Sequence, residues 1–229
     1  MGNTRHKKRQ QRLQRAASEV APGTALDVAI VAVTVESLPG IATLHKQVLK
    51  IDYGMSFYRQ GVGCGNVARV AVWEQQVVGC IYVHIAAGNM HVKSLMTCLP
   101  RHKIGERLLR TMLEKAAKDG IAQSSLFVHV GNSAAIALYV KLGYEIAATL
   151  PNYYSSSPHL QPPDAHRMIC RLLPSRDAPV HRPSPTGPQL GKRDQASGVE
   201  SPRDGSRAQI AHDLDDDIAW PSLGAVVAV

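Results

Sequence analysis

The residues best placed by type and spacing to do chemistry lie after Leu99, where the chain reads Pro100-Arg101-His102-Lys103-Ile104-Gly105. Three basic or titratable side chains and a glycine lead into a helical apolar pattern. A strand, loop and helix step of this kind suits a phosphate-bearing ligand, because the helix N-terminus offers unpaired amides and a partial positive charge. The same residues also make an ordinary basic turn, and spacing alone does not separate the two. A second basic group, Lys7-Lys8-Arg9, has the composition of an RNA or ribosome contact, or of a solvated tail. The cysteines Cys64, Cys80, Cys98 and Cys170 show neither C-x-x-C nor zinc-like spacing, so no metal and no disulfide framework is expected. A reducing compartment fits them, which points to the cytoplasm and leaves the nucleus open.

The net charge of +8 on 229 residues suggests a polyanion partner until its distribution is considered. Between Met1 and Val20 six Lys or Arg stand against Glu19 alone, whereas the chain from Pro174 carries six basic and eight acidic groups. That final stretch also holds seven of the fourteen prolines and the acidic cluster Asp213 to Asp217. Such a composition cannot bury enough apolar surface to offset its chain entropy. Residues 1–24, ending at the Pro22-Gly23 turn signal, and 174–229 are therefore expected to be disordered arms around one folded unit, 25–173. With 45% hydrophobic but only 5% aromatic residues, aliphatic side chains must fill that unit's core. The longest apolar run, Val28 to Val35, is far short of a membrane span, so no membrane partner is expected. Met1-Gly2-Asn3 carries His6 where a myristoylation signal needs Ser or Thr, and residues 1–18 lack the apolar helical face of a transit peptide.

The elements that must position the basic loop follow from periodicity. Asp27 to Val35 reads as a strand, and Ser37-Leu38-Pro39 opens a helix with Leu38, Ile41, Leu44, Val48 and Leu49 on its apolar face. Val67 to Trp73 and Val77 to Ile85 form a hairpin across Glu74-Gln75-Gln76, and a further strand, His91 to Leu99, follows Ala87-Gly88-Asn89. Ile104 to Lys118 has apolar residues at 104, 108, 109, 112, 113, 116 and 117, the pattern of one helical face, and Asp119-Gly120 ends it. Ser125 to Val130 is a strand, Asn132 caps a helix that reaches Leu142, and Tyr144 to Leu150 and Ala165 to Leu173 are the closing strands. Two of the helices link strands as crossovers.

Three segments carry a resemblance: Leu126-Phe127-Val128-His129-Val130 followed by Asn132; Ala135 to Ile146, which reads AIALYVKLGYEI; and Asn152-Tyr153-Tyr154 with the later Pro163-Asp164-Ala165-His166. Together they resemble the Gcn5-related N-acetyltransferase (GNAT) superfamily, and more narrowly its San-type, or NatE-type, protein N-terminal acetyltransferases. The likeness runs from about Leu44 to Met168. It implies an α/β (α+β) GNAT fold: a mixed, mostly antiparallel twisted sheet, helices on both faces, and a cofactor cleft where the fourth strand splays from the fifth. It also implies transfer of an acetyl group from acetyl-CoA to the α-amino group of a peptide or nascent chain.

The resemblance assigns roles residue by residue. His129 matches the family's catalytic histidine, a base that takes the proton of the attacking amine directly or through water. A strand-end histidine held by a backbone carbonyl is the plainer alternative. His91 stands where the family has a second catalytic group, a tyrosine, so a changed proton relay or a simple strand-start histidine are both open. Tyr139 matches the tyrosine that protonates the departing thiolate, or else packs on the sheet. Leu95 and Thr97 would pair with the pantetheine arm through free backbone groups, while nearby amides polarise the thioester carbonyl. Arg101, His102, Lys103, Ile104 and Gly105 would hold the pyrophosphate, with Asn132 also beside the cofactor. Leu49, Ile51, Tyr53, Tyr153 and Tyr154 would grip the first residues of the peptide, and Lys50 replaces the family's usual proline.

The pyrophosphate loop is two residues shorter than the family's and lacks its first glycine, and Gly131 stands where the family has three residues. These departures, with His91, keep a second reading open: a catalytically impaired member or accessory subunit of an N-acetyltransferase complex, associated with the ribosome through its basic arm.

Overall fold

The β-branched runs join one sheet, described in a computed structural model over residues 26–48, 54–63, 66–157, 160–172 and 227–228, with 11, 12, 15, 16 and 19. Its strands are β1 (Ala29–Ala32), β2 (Ala68–Trp73), β3 (Gln76–Ala86), β4 (Asn89–Thr97), β5 (Gln123–His129), β6 (Glu145–Leu150) and β7 (Ala165–Arg171), in the spatial order β1-β2-β3-β4-β5-β7-β6. Along this order every neighbouring pair is antiparallel except β4 with β5. That parallel pair needs a crossover, which α3 (Ile104–Lys118) supplies. The remaining helices are α1 (Leu38–Val48), α2 (Met55–Arg59) and α4 (Ser133–Lys141). The GNAT fold expected from the sequence is the fold observed.

Two hairpins hold β2, β3 and β4 in register. Their two-residue turns, Glu74-Gln75 at φ 46° and 59° and Ala87-Gly88 at φ 47° and 73°, lie in the left-handed region that matches strand twist. Gln76, expected in the first turn, is instead paired with Trp73 in the ladder. Between Tyr82–Ser94 and Val83–Val92 the β3–β4 register shifts, leaving Lys93 as an extra residue on β4. Such a bulge bends its strand. The β4–β5 pairing stops there, at Val92 opposite Leu126, so the two strands part beyond the bulge.

Helices cover both faces. α3 buries Ile104, Leu108, Leu109, Met112, Leu113 and Ala116, most of the stripe its spacing predicts, and each of the five larger side chains contributes about 2 kcal/mol relative to exposure. Ile104 and Leu108 lie over Gly79 of β3, where a Cβ would fall 2.9 Å from Ile104 Cγ2. On the other face, Leu38, Ile41 and Leu44 of α1 are buried, and His45 sits among Phe57, Tyr58 and Tyr82. Its Nδ1–H donates to the Ile41 carbonyl at 3.1 Å, leaving Nε2, 3.3 Å from Ser94 Oγ, to accept. Burial pushes the His45 pKa down from 6.5 to about 4, so the ring stays neutral.

Some boundaries differ from expectation. Val35 leaves the first strand for a short 3-10 turn, Val35–Ser37, which runs into α1. α2 was not expected, because five residues carry no readable period. Gln11, Arg12, Arg15, Ala16 and Glu19 of the basic arm are helical, with Arg15 and Glu19 paired at 3.4 Å. Within 174–229 the residues Val227–Ala228 form a short strand, β8, parallel to β4. The rest of both arms lies outside the described residues.

Candidate active site

Strand alternation on β5 separates core from site. Ser124, Leu126 and Val128 are buried on one face, and Ser125, Phe127 and His129 share the other. The parallel register sets His91 of β4 beside Ser125. His91 Nδ1 lies 3.0 Å from Ser125 Oγ, which also accepts from Asn89 Nδ2 at 2.9 Å. Asn89, Ser125 and His91 thus form a short side-chain relay that orients the imidazole. Sequence reading missed Asn89 and Ser125, whose partners lie more than thirty positions away.

From His91 an aromatic path runs to His129. His91 lies 5.3 Å from Phe127, which stacks on Tyr153 at 4.7 Å; Tyr153 meets Tyr154 edge-on at 5.1 Å, and Tyr154 lies 5.7 Å from His129. The structure brings together His91, His129, Tyr153 and Tyr154 around Phe127. A turn fixes the tyrosines: Asn152, at φ 59°, donates its amide to Asp164 Oδ1 at 2.9 Å, and Tyr154 donates its own to the Pro163 carbonyl at 2.7 Å. The Asn-Tyr-Tyr and Asp-Ala-His segments are therefore two sides of one closure.

His129 is held by backbone on both sides. Nδ1 accepts the Gly131 amide at 3.1 Å, and Nε2 lies 2.7 Å from the Pro162 carbonyl, to which it donates. This is the arrangement of the plainer alternative, a strand-end histidine satisfied by backbone. To act as a base, the ring must exchange one of these partners for the amine or a water.

Tyr139, on the inner face of α4, is 0% exposed, yet among the described residues its hydroxyl has no hydrogen-bond partner. Burial, with Tyr144 and Tyr154 close by, raises its pKa well above the ordinary value, so it keeps its proton and remains a donor. A buried hydroxyl left unpaired costs about 1–3 kcal/mol unless something outside the protein completes it. A thiol or thiolate sulfur is such a partner. Asn132 accepts from the Ala135 amide at 3.2 Å, so its side chain caps α4.

The splay of β4 from β5 leaves backbone unpaired by β5. The Cys98 amide donates to Val78 on β3, and strand alternation therefore turns the peptide groups of Leu95 and Thr97 to the opposite, open edge. The Thr97 hydroxyl is committed to the Val78 carbonyl at 2.8 Å. β4 ends in the basic loop, where Arg101 and Lys103 adopt φ 67° and 57°. The left-handed turns for which a glycine would be expected are made here by cationic side chains. Glu106, a negative charge beside an expected phosphate, is neutralised: Arg110 contacts it at 2.9 Å and Lys141 at 2.7 Å, and its pKa is lowered chiefly by the Lys141 hydrogen bond. Ile104 and Gly105 are buried, so only their backbone is suited to a ligand. Leu49, Ile51 and Tyr53, with Lys50, lie outside the described residues. Among the described residues no group of His, Cys, Asp and Glu is placed to hold a metal, and no helix is long and apolar enough to cross a membrane.

Comparison with known proteins bears on this geometry. The profile of the acetyltransferase (GNAT) family matches residues 46–144. The chain is 29% identical over 154 residues to N-alpha-acetyltransferase 50 of Danio rerio, covering 64% of this chain and 89% of that protein. It is 31% identical over 142 residues to the Drosophila melanogaster protein named "Probable N-acetyltransferase san", covering 58% and 75%. Among solved structures, Arabidopsis thaliana Naa50 in complex with the bisubstrate analogue CoA-Ac-MVNAL superposes with a TM-score of 0.52 at 26% identity, over 63% of this chain and 98% of that one.

Proposed function

Because this chain belongs to the GNAT family of acetyltransferases, with acetyl-CoA as cosubstrate, we propose that it acetylates the α-amino group of peptides and nascent chains. The observation that carries the acceptor class is the aromatic path from His91 to His129, closed over by Tyr153 and Tyr154. Flat rings with polar tips order a flexible peptide end at little entropic cost. The similarity to N-alpha-acetyltransferase 50 and to a structure carrying a peptide-like analogue supports the same choice.

In this reading the neutral amine nitrogen attacks the thioester carbonyl carbon, and the C–S bond breaks. The amine's proton leaves through His129 or the His91–Ser125 relay, directly or by water. Tyr139 Oη–H supplies a proton to the departing sulfur, and the proton given up by the amine restores the tyrosine, so that the products are the acetylated amine and the free thiol. Leu95 and Thr97 align the pantetheine arm, and Arg101, His102, Lys103 and the first amides of α3 offset the pyrophosphate charge. Leu49, Ile51 and Tyr53, outside the described residues, are assigned to the peptide by the family resemblance alone, residues 25–173 form the catalytic unit, and the protein works in the cytoplasm.

With acetyl-CoA and a peptide acceptor, His129→Gln and His91→Gln should each lower kcat by about 10²-fold or more. Unchanged rates in both would remove the proposed bases. One observation favours the second reading, an accessory subunit: both ring nitrogens of His129 are taken by backbone. Under that reading neither His129→Gln nor His91→Gln changes acetyl transfer. Ribosome association through Lys7, Lys8 and Arg9 is tested by their replacement with Glu, which should abolish a salt-sensitive association.

A further inference from the structure

The open edge of β4 is occupied by the chain itself. Val227–Ala228 pairs with it in parallel, Val227 opposite Leu95 and Ala228 opposite Met96. β5 stops pairing at Val92, so the added strand lies beyond the point where β4 and β5 separate. We propose that this segment is an internal competitor for acetyl-CoA, taking the backbone groups of Leu95 and Thr97 that the pantetheine arm would use. The inference rests on the acetyltransferase reading above, because only that reading gives the β4 edge a ligand.

Three features support it. An unpaired strand edge between splayed strands is a template for any extended backbone, and strand addition satisfies its amides and carbonyls. The added residues come from Ala225-Val226-Val227-Ala228-Val229, the one uncharged, β-branched run in a tail otherwise rich in Pro, Ser and Asp. The direction also fits: β8 runs parallel to β4, toward the Pro100–Lys103 loop, with Val227 and Ala228 beside Leu95 and Met96, between the bulge and that loop. A strand there and a pantetheine arm on the same edge exclude one another. Acetyl-CoA binding then requires tail release, and its apparent affinity falls by the fraction of molecules whose edge is open.

The test uses the full chain and a double variant, Val227→Pro with Ala228→Pro, because proline removes the amides a strand needs. Two readouts are taken on each protein: hydrogen exchange at the Leu95 and Thr97 amides without cosubstrate, and acetyl-CoA affinity by calorimetry. The proposal expects exchange at both amides to rise at least about tenfold in the variant, and acetyl-CoA to bind correspondingly tighter, by about tenfold for an edge that is nine-tenths closed. Equal exchange in the two proteins overturns the proposal, however acetyl-CoA behaves. Raised exchange with unchanged affinity also overturns it, since the strand would then form without competing. Raised exchange with no acetyl-CoA binding in either protein overturns the cosubstrate reading and the competition with it, an outcome distinct from both of the others.

Discussion

Replacing Gly79 by alanine should damage cosubstrate binding through packing alone. A Cβ at Gly79 would lie 2.9 Å from Ile104 Cγ2, 3.0 Å from the Met96 carbonyl oxygen and 3.2 Å from Leu108 Cδ1. Ordinary contact needs about half an ångström more. Ile104 and Leu108 are 1% and 0% exposed, so neither side chain has room to turn away, and the Met96 oxygen moves only if β4 moves. Overpacking of this kind costs about 1–3 kcal/mol, and the lower chain entropy of unfolded alanine returns about 0.4–1. The net expectation is about 1–2 kcal/mol of destabilisation, read as a lower urea midpoint at unchanged slope. The two elements pushed away from β3 are the start of α3 and the end of β4, which flank the basic loop. Acetyl-CoA affinity measured by calorimetry should therefore fall severalfold in Gly79→Ala. An Ile41→Val control, placed in α1 and costing about 1 kcal/mol, should leave that affinity unchanged. Undiminished stability in Gly79→Ala would refute the packing argument, and affinity matching the Ile41→Val control would refute the coupling to the cleft.

Other substitutions should move stability and function in opposite directions. Tyr139→Phe removes an unpaired buried hydroxyl, so urea unfolding should show about 1 kcal/mol more stability while kcat falls; equal losses of both would contradict a donor role. Lys103→Gly relieves a left-handed residue at φ 57°, raising stability by up to about 1 kcal/mol while weakening acetyl-CoA binding severalfold through the lost charge. His45 makes stability depend on pH. Its folded pKa of about 4 lies below the unfolded 6.5, so the unfolded chain binds the extra proton between those values. The contribution is complete above pH 6.5 and is lost as pH falls to 4, amounting to about 3 kcal/mol, and His45→Gln should flatten this part of the denaturation profile.

What was legible in the sequence is what local pattern encodes. The α3 boundaries, Ile104 and Lys118, follow from a fifteen-residue amphipathic run and its Asp119-Gly120 stop, and Asn132 was readable as a cap from its side chain alone. The splay of β4 was implied by resemblance and is built by an extra residue at Lys93, which no periodicity marks. Positive φ at Arg101 and Lys103 escaped notice because glycine is the usual sign of it. The partners of His129 and His91 were hidden for another reason: Pro162 and Ser125 lie more than thirty positions away, Ser125 meeting His91 through sheet registry and Pro162 meeting His129 from the loop that leads into β7. β8 was lost by averaging, two residues of a five-residue apolar run that follows a long polar segment.

The position of the transferred acetyl group tests the account most directly. A short peptide with a free α-amine and an internal lysine, incubated with acetyl-CoA and the full chain, is fragmented in a mass spectrometer. The account predicts the acetyl group on the α-nitrogen, in amounts that rise with enzyme and vanish when that amine is blocked. Acetylation confined to the lysine side chain would contradict the proposed acceptor, and no transfer to either nitrogen at saturating acetyl-CoA would contradict the proposed chemistry.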